Sequence, residues 1–284
     1  MRFGFVGSFG SVAQTVTLAQ EAEAHGWDGF FTWDGISVGE IDTFDPWSLL
    51  GALAVSTERI RLGAMIFPLA RRRPWKVARE TVTVDHLSGG RLVLPVGLGA
   101  ADDGGFAGVS GEATTARGRA ELLDDALAIL ERAWTGERFS YTGTHHTVTD
   151  LVFRPRPVQR PRIPVWAVGA WPSARSMGRA ARWDGVVPQS RAGHGPLTPD
   201  DIRALVAWVA ERRAELAETE PDRYLGEFDV VVEGVLPDGP DAAAEHVGAL
   251  ADAGATWWVE SRWDGERDTP ETLLDRVRQG PPRL

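Results

Sequence analysis

Residues 59–99 read RIRLGAMIFPLARRRPWKVARETVTVDHLSGGRLVLPVGLG, and their pattern decides the fold class. An apolar run (60–67) gives way to a basic loop bounded by Pro68 and Pro74. A stretch with helical spacing (75–87) follows, then the turn Ser88-Gly89-Gly90, then a second apolar run (91–98) with Gly97 and Gly99 at its end. Two short apolar runs around one amphipathic helix make a βαβ unit. Runs this evenly apolar are buried on both faces, as in a parallel sheet covered by helices. Glycines at a strand end serve where a backbone turns tightly or admits a ligand.

The same alternation runs in both directions from this unit. Upstream, residues 3–6 and 28–33 read as strands, 12–24 as a helix closed by Gly26, and 46–55 as a helix with Asp45 as N-cap and Pro46 at its first position. Downstream, a helix spans 116–134 with Leu123, Leu127 and Leu130 on its buried face. Residues 136–162 break the rhythm: 139–153 look like a hairpin and the Arg-Pro repeats after it cannot be helical, so this segment reads as an insertion. Strands are then expected at 165–168, 184–187, 228–235 and 256–260, and helices at 172–182, 199–218, 241–253 and 270–279. Eight strands and eight helices predict an α/β chain folded as one (β/α)8 TIM barrel, a single domain over residues 1–284. An open doubly wound sheet is the alternative, but the glycines at 4, 7 and 10 do not have the spacing of a nucleotide fingerprint.

The chain of 284 residues is 43% hydrophobic and 25% charged, ample for one large core. No apolar stretch approaches the roughly 20 residues of a membrane span. Met1-Arg2 leads straight into the first apolar run, which predicts a cytoplasmic protein with no signal peptide and no membrane partner. A net charge of −10 argues against a nucleic-acid partner. With no cysteine, disulfides and thiolate catalysis are excluded, and with Lys76 the single lysine, a Schiff base is disfavoured. The twelve tryptophans suit both a core and a flat apolar ligand.

A barrel of this kind places its active site at the C-terminal ends of its strands. Those ends are Gly7-Ser8, Trp33-Asp34, Met65-Ile66-Phe67, Gly97-Leu98-Gly99, Gly169-Ala170-Trp171, Pro188-Gln189 and Glu260-Ser261. The set is mostly apolar or glycine and lacks the converging ligands of a metal site, so no metal is expected. It reads as a slot for a large flat cofactor, with Trp33 and Trp171 as aromatic walls or as core residues. At the junction 168–175, small residues, Pro172, Ser173 and Arg175 make either an anion site at a helix start or an ordinary turn. Arg71, Arg72 and Arg73 form either a solvated loop or a fork for a phosphate or carboxylate. Asp102 and Asp103 open a glycine-rich loop that reads equally as a lid carrying Phe106 or as inert chain. His86 reads as packing at a helix end, His145 and His146 as surface or lid, and His194 as a loop residue after strand six with a possible active-site role.

Taken in order, AEAHGWDGFFTWD (22–34), TERIRLG (57–63), the 71–99 block, RGRAELLDDALAILERAWTGERFSYTG (117–143), RPRPVQRPRIPVWAVG (154–169) and RAARWDGVVP (179–188) resemble the bacterial luciferase-like family of flavin-dependent oxidoreductases. The resemblance covers residues 1–190 well and the remainder by strand order. It implies a (β/α)8 barrel that binds FMN or the deazaflavin coenzyme F420. By the same resemblance, Gly169, Ala170, Trp171 and Ser173 hold the cofactor phosphate. Met65 and Ile66 form a strand-three bulge, often a non-prolyl cis peptide, against the ring, with Gly7, Phe67, Gly97 and Gly99 nearby. Gly35 stands where the family often has a histidine after Asp34, which leaves Asp34 and His194 as the candidates for proton transfer. The leading expectation is an FMN monooxygenase using O2 on a small organic substrate, fed by a separate flavin reductase and working as a homodimer. The alternatives are an F420-dependent dehydrogenase or reductase and a flavin-binding barrel without catalysis.

Overall fold

A computed structural model of the chain describes residues 1–100, 102–191 and 195–284. In chain order the strands are β1 (Arg2–Val6), β2 (Gly29–Thr32), β3 (Arg61–Ala64), β4 (Phe67–Pro68), β5 (Leu94–Gly97), β6 (Arg138–Thr142), β7 (Thr147–Val152), β8 (Val165–Trp171), β9 (Gly185–Ser190), β10 (Asp229–Gly234) and β11 (Trp257–Glu260). The helices are α1 (Val12–Ala24), α2 (Pro46–Ser56), α3 (Pro74–Leu87), α4 (Gly104–Ala107), α5 (Ala116–Trp134), α6 (Ala174–Ala180), α7 (Pro199–Thr219), α8 (Pro240–Asp252) and α9 (Pro270–Arg278), with a 3₁₀ turn at Leu69–Arg71. Residues Met65 and Ile66, joined by a non-prolyl cis peptide, part β3 from β4. Those two pieces make the single third strand that the apolar run 60–67 predicts. With β6 and β7 set aside as the inserted hairpin, eight strands remain among the described residues, each followed by a helix.

Two compact units divide the chain, Met1–Phe31 with Pro164–Leu284, and Thr32–Ile163. In the first, six strands lie in the order β2-β1-β11-β10-β9-β8, and every pairing is parallel. One face of this sheet is filled by Phe31, Trp166 and Trp257, all essentially inaccessible, with ring centroids 5.2–6.4 Å apart. Gly29 and Gly185 are required beneath them, because a Cβ would come within 2.8 Å of the Phe31 ring and 2.6 Å of the Trp166 ring. The opposite face takes the helices: Arg276 of α9 pairs with Glu260, and Trp27 Nε1 donates to the Val277 carbonyl at 3.0 Å. Because strand side chains alternate, the parity of each residue decides whether it faces the aromatic side or the helices.

Two elements have bounds that differ from their sequence expectation. Strand β8 runs to Trp171 rather than 168, since residues 169–171 keep pairing with 188–190 of β9. Helix α6 starts at Ala174 rather than 172, with Ser173 in the cap position. Helix α2 begins as read, with Asp45 accepting from the Ser48 N–H at 2.8 Å and Pro46 in the first turn.

The second unit is stitched by buried polar groups. Arg91 donates to the carbonyls of Ala54, Thr57 and Ile60, closing the end of α2. Asp85, fully buried in α3, accepts from the N–H groups of Val158 and Gln159 and from Gln159 Nε2 at 2.6–3.1 Å, anchoring the Arg-Pro segment. Asp125 of α5 does the same for the hairpin turn, accepting from the N–H groups of Thr144, His145 and His146 and from the Tyr141 hydroxyl at 2.7–3.1 Å. His145 and His146 thus belong to the latch of the hairpin, and His146 packs edge-on against Trp75.

Burial and the Asp125 carboxylate together push the Tyr141 phenol up to about 12. A phenol raised in the folded state contributes stability that is complete below its ordinary value of about 10 and is lost as pH rises through the folded one. In a Tyr224→Phe background, tyrosinate absorbance should therefore report a single late titration, and Asp125→Asn should move it back toward the ordinary value. An unmoved midpoint would refute the Asp125 contact.

Candidate functional site

Asp34 follows β2 and ends in a clamp. Arg72 grips its carboxylate with a two-pronged fork, Nε to Oδ2 at 2.7 Å and Nη2 to Oδ1 at 2.8 Å. Arg71 Nη2 adds bonds to Oδ1 at 3.0 Å and to the Asp34 carbonyl at 2.7 Å. The Asp34 side chain is inaccessible, and only 4% of Arg71 is exposed. This corrects the expectation that Asp34 transfers protons. Both oxygens are committed to guanidinium groups, and protonating them would strand two buried cations. It also corrects the reading of Arg71 and Arg72 as a solvated loop or a ligand fork, since their partner is internal.

Arg71 reaches on to Asp103, whose carboxylate also accepts from the N–H groups of Ile36, Ser37 and Gly105. Burial opposes the charge on Asp103, but these donors outweigh it and hold the carboxyl below its ordinary range. The Asp103 loop is thus neither a free lid nor inert. Phe106 within it is buried, with the guanidinium carbons of Arg71 and Arg119 at 5.2 and 4.7 Å from its ring centre. Gly99, at φ +81°, lies where a Cβ would strike both Phe106 and Pro68. Gly97 pairs with Pro68 across β5 and β4. Met65 is buried, its N–H bonded to the Thr32 carbonyl at 2.8 Å, while Ile66 is partly exposed. Phe67, expected beside a cofactor, instead stacks on Trp47 of α2 with centroids 4.3 Å apart and is inaccessible.

In the first unit, Gly7 and Gly169 face the helix side. A Cβ at Gly7 would sit 2.6 Å from the Phe30 ring, and one at Gly169 2.5 Å from the Met177 sulfur and 2.8 Å from Val186. Their smallness has a packing cause, which replaces the expectation that it lets a ligand approach. Ala170 donates its N–H to Ser176 Oγ at 3.0 Å, and its carbonyl accepts from the Ser173 N–H at 2.7 Å. Among the described residues Ser173 makes no side-chain cap bond, although it occupies the N-cap of α6. Trp171 is partly exposed at the end of β8. His194 lies outside the described residues.

Sequence reasoning missed one carboxylate. Glu233, near the end of β10, accepts from Gln189 Nε2 on β9 at 2.6 Å, and burial raises its carboxyl above the ordinary range. The signal was present in the strand DVVVEG, where a carboxylate ends an otherwise apolar run on the same parity as Asp229. Glu260, by contrast, points to the helix side and pairs with Arg262 and Arg276.

Comparison with known proteins matches the sequence to a family. The family model for luciferase-like monooxygenases matches residues 2–278, and the chain belongs to that family of oxidoreductases. An F420-dependent glucose-6-phosphate dehydrogenase from Beutenbergia cavernae is 30% identical, the match covering 98% of this chain and 87% of that protein. Among solved structures, monooxygenase RslO1 from Streptomyces bottropensis has a TM-score of 0.78 at 17% identity, covering 98% of this chain and 97% of that one. Coenzyme F420-dependent tetrahydromethanopterin reductase from Methanopyrus kandleri has a TM-score of 0.76 at 17% identity, covering 99% and 98%. These likenesses show the fold, the (β/α)8 barrel that the strand–helix count predicts.

Replacing Arg71 by Met should leave Asp103 without a cation and Asp34 with one, and should lower unfolding free energy in urea by about 3–5 kcal/mol. A loss below about 1 kcal/mol would contradict the clamp. Because the Asp103 carboxyl is held low, its contribution is complete above about pH 4 and fades as pH falls toward the folded-state value. Asp103→Asn should flatten that acid limb of the stability profile.

Proposed function

We propose that this chain is a coenzyme F420-dependent oxidoreductase of the dehydrogenase or reductase type, acting on a small organic substrate. The observation that carries this reading is the F420-dependent relative at 30% identity, whose match runs through 98% of the chain. The reading replaces FMN with the deazaflavin as first choice and hydride transfer for oxygen insertion. The FMN monooxygenase reading stands second, supported by the match to the family model for luciferase-like monooxygenases.

The deazaflavin, when bound, supplies the ring that takes up or gives hydride. The protein's own part in this reading is to hold and dry it. Ser173 and the first N–H groups of α6 take the phosphate. The Asp34–Arg71–Asp103 clamp keeps the loops of the second unit from opening to water. Gly35 contributes no side chain to proton transfer, so that task falls to another group.

The test is a fluorescence-quenching titration with F420, FMN and riboflavin. F420 should bind tightly and FMN weakly; tight FMN binding without F420 binding overturns the reading. Ser173→Asp should weaken F420 at least about tenfold, since 1.4 kcal/mol of repulsion suffices, and leave the phosphate-free deazaflavin unaffected. Equal losses for both would remove the phosphate from this place.

A further inference from the structure

Each buried carboxylate described so far has its charge answered. Asp34 and Glu260 have two arginines each, Asp103 has Arg71 and three N–H groups, and Asp85 and Asp125 have backbone donors. Glu233 differs. Its one hydrogen-bond partner among the described residues is the neutral amide of Gln189, bonded to Oε1, and no donor among them reaches Oε2.

Its position gives that isolation a use. Along β10, Asp229, Val231 and Glu233 share one face. Asp229 accepts from Trp166 Nε1 at 3.2 Å, so this is the face of the Phe31–Trp166–Trp257 aromatic cluster, not the helix side. Glu233 lies beyond that cluster at the C-terminal end of the strand, where a barrel keeps its chemistry. Its register neighbour on β11 is Val259, and on β9 it meets Gln189. Neither carries charge; burial raises the Glu233 carboxyl and the Gln189 hydrogen bond opposes that rise. The residue is partly exposed, although its carboxyl is largely desolvated. A carboxyl removed from bulk water, without a countercharge among the described residues and still partly exposed, is arranged to exchange a proton above the ordinary carboxylate range.

We propose that Glu233 is the proton carrier of this protein's reaction, taking up the proton of a substrate hydroxyl. The role rests on the deazaflavin reading. In the oxidising direction the substrate O–H bond breaks and its proton passes to Glu233 Oε2. The neighbouring C–H bond breaks with its electron pair, and that hydride reduces the oxidised deazaflavin. The C–O bond becomes a carbonyl, and the Glu233 proton then leaves to solvent. Gln189 is a positioning residue that fixes Oε1 and turns Oε2 outward.

Infrared titration of the cofactor-free protein and single-turnover hydride transfer in the F420 complex test this together, with 2-propanol, cyclohexanol and glucose 6-phosphate as substrates. In the wild type one carboxyl should titrate above the ordinary range, and the transfer rate should rise with pH through the same midpoint. Glu233→Gln should abolish the band and the pH dependence and slow transfer at least about 100-fold, with F420 affinity unchanged within about twofold. Glu233→Asp should keep a displaced midpoint, and Gln189→Leu, which removes the donor favouring the anion, should raise it. A Glu233→Gln protein that keeps its rate and pH profile overturns the role, as does a wild type without the raised band. Failure of the wild type to bind F420 appears separately, in the quenching titration, and defeats the functional reading along with the role.

Discussion

The loops of the second unit depend on how one buried carboxylate, Asp34, is neutralised. Two guanidinium groups meet it, one in a bidentate fork and one bridging onward to Asp103. Neither the anions nor the cations could remain buried alone, because an uncompensated charge in a poorly solvated interior is far costlier than a paired one. The network therefore forms as a whole. It draws together the segment after β2, the 3₁₀ turn after β4 and the segment after β5, and leaves the cluster of Asp34, Asp103, Arg71 and Arg72 with no net charge. The Phe106 ring and the bare backbone of Gly99 fill the space beneath it.

The first unit is organised by parity rather than by ion pairs. Odd-numbered residues of β10 and β9 face the aromatic cluster, and the even-numbered Glu260 faces α9. Two glutamates near neighbouring strand ends thus have opposite surroundings. Glu260 is held between arginines and belongs to the architecture. Glu233 is left with one amide and belongs to the chemistry. Membership in an oxidoreductase family sets the kind of reaction to look for, and this contrast says which carboxylate to look at.

Much of the fold was legible because hydrophobic runs and caps are local signals. The apolar run 60–67 marked the third strand, Asp45-Pro46 marked the start of α2, and the tract 139–153 marked the hairpin. The ends were less legible where pairing decided them, as in β8, which persists to Trp171 because β9 offers partners that far. The site was read less well, for a physical reason. Phe67 and Gly169 stand at the right ends of the right strands but on the helix side, and a half-turn of parity separates a wall from a packing contact. Arg71 and Arg72 looked available because their partners lie more than thirty residues away. Glu233 escaped notice because what distinguishes it is the absence of a countercharge among the described residues, and a sequence does not display absences.

Within the stretch that decides the fold, Arg91 donates to carbonyls and a hydroxyl of the α2–β3 corner and to a carbonyl of its own turn. The Ser-Gly-Gly-Arg signature therefore records how a corner is closed at the N-terminal ends of the strands, remote in function from whatever those strands present at their other ends. A search keyed to that signature will gather chains by architecture and will mix their chemistries freely. Sorting them by reaction calls for a comparison of the side chains that end β9 and β10.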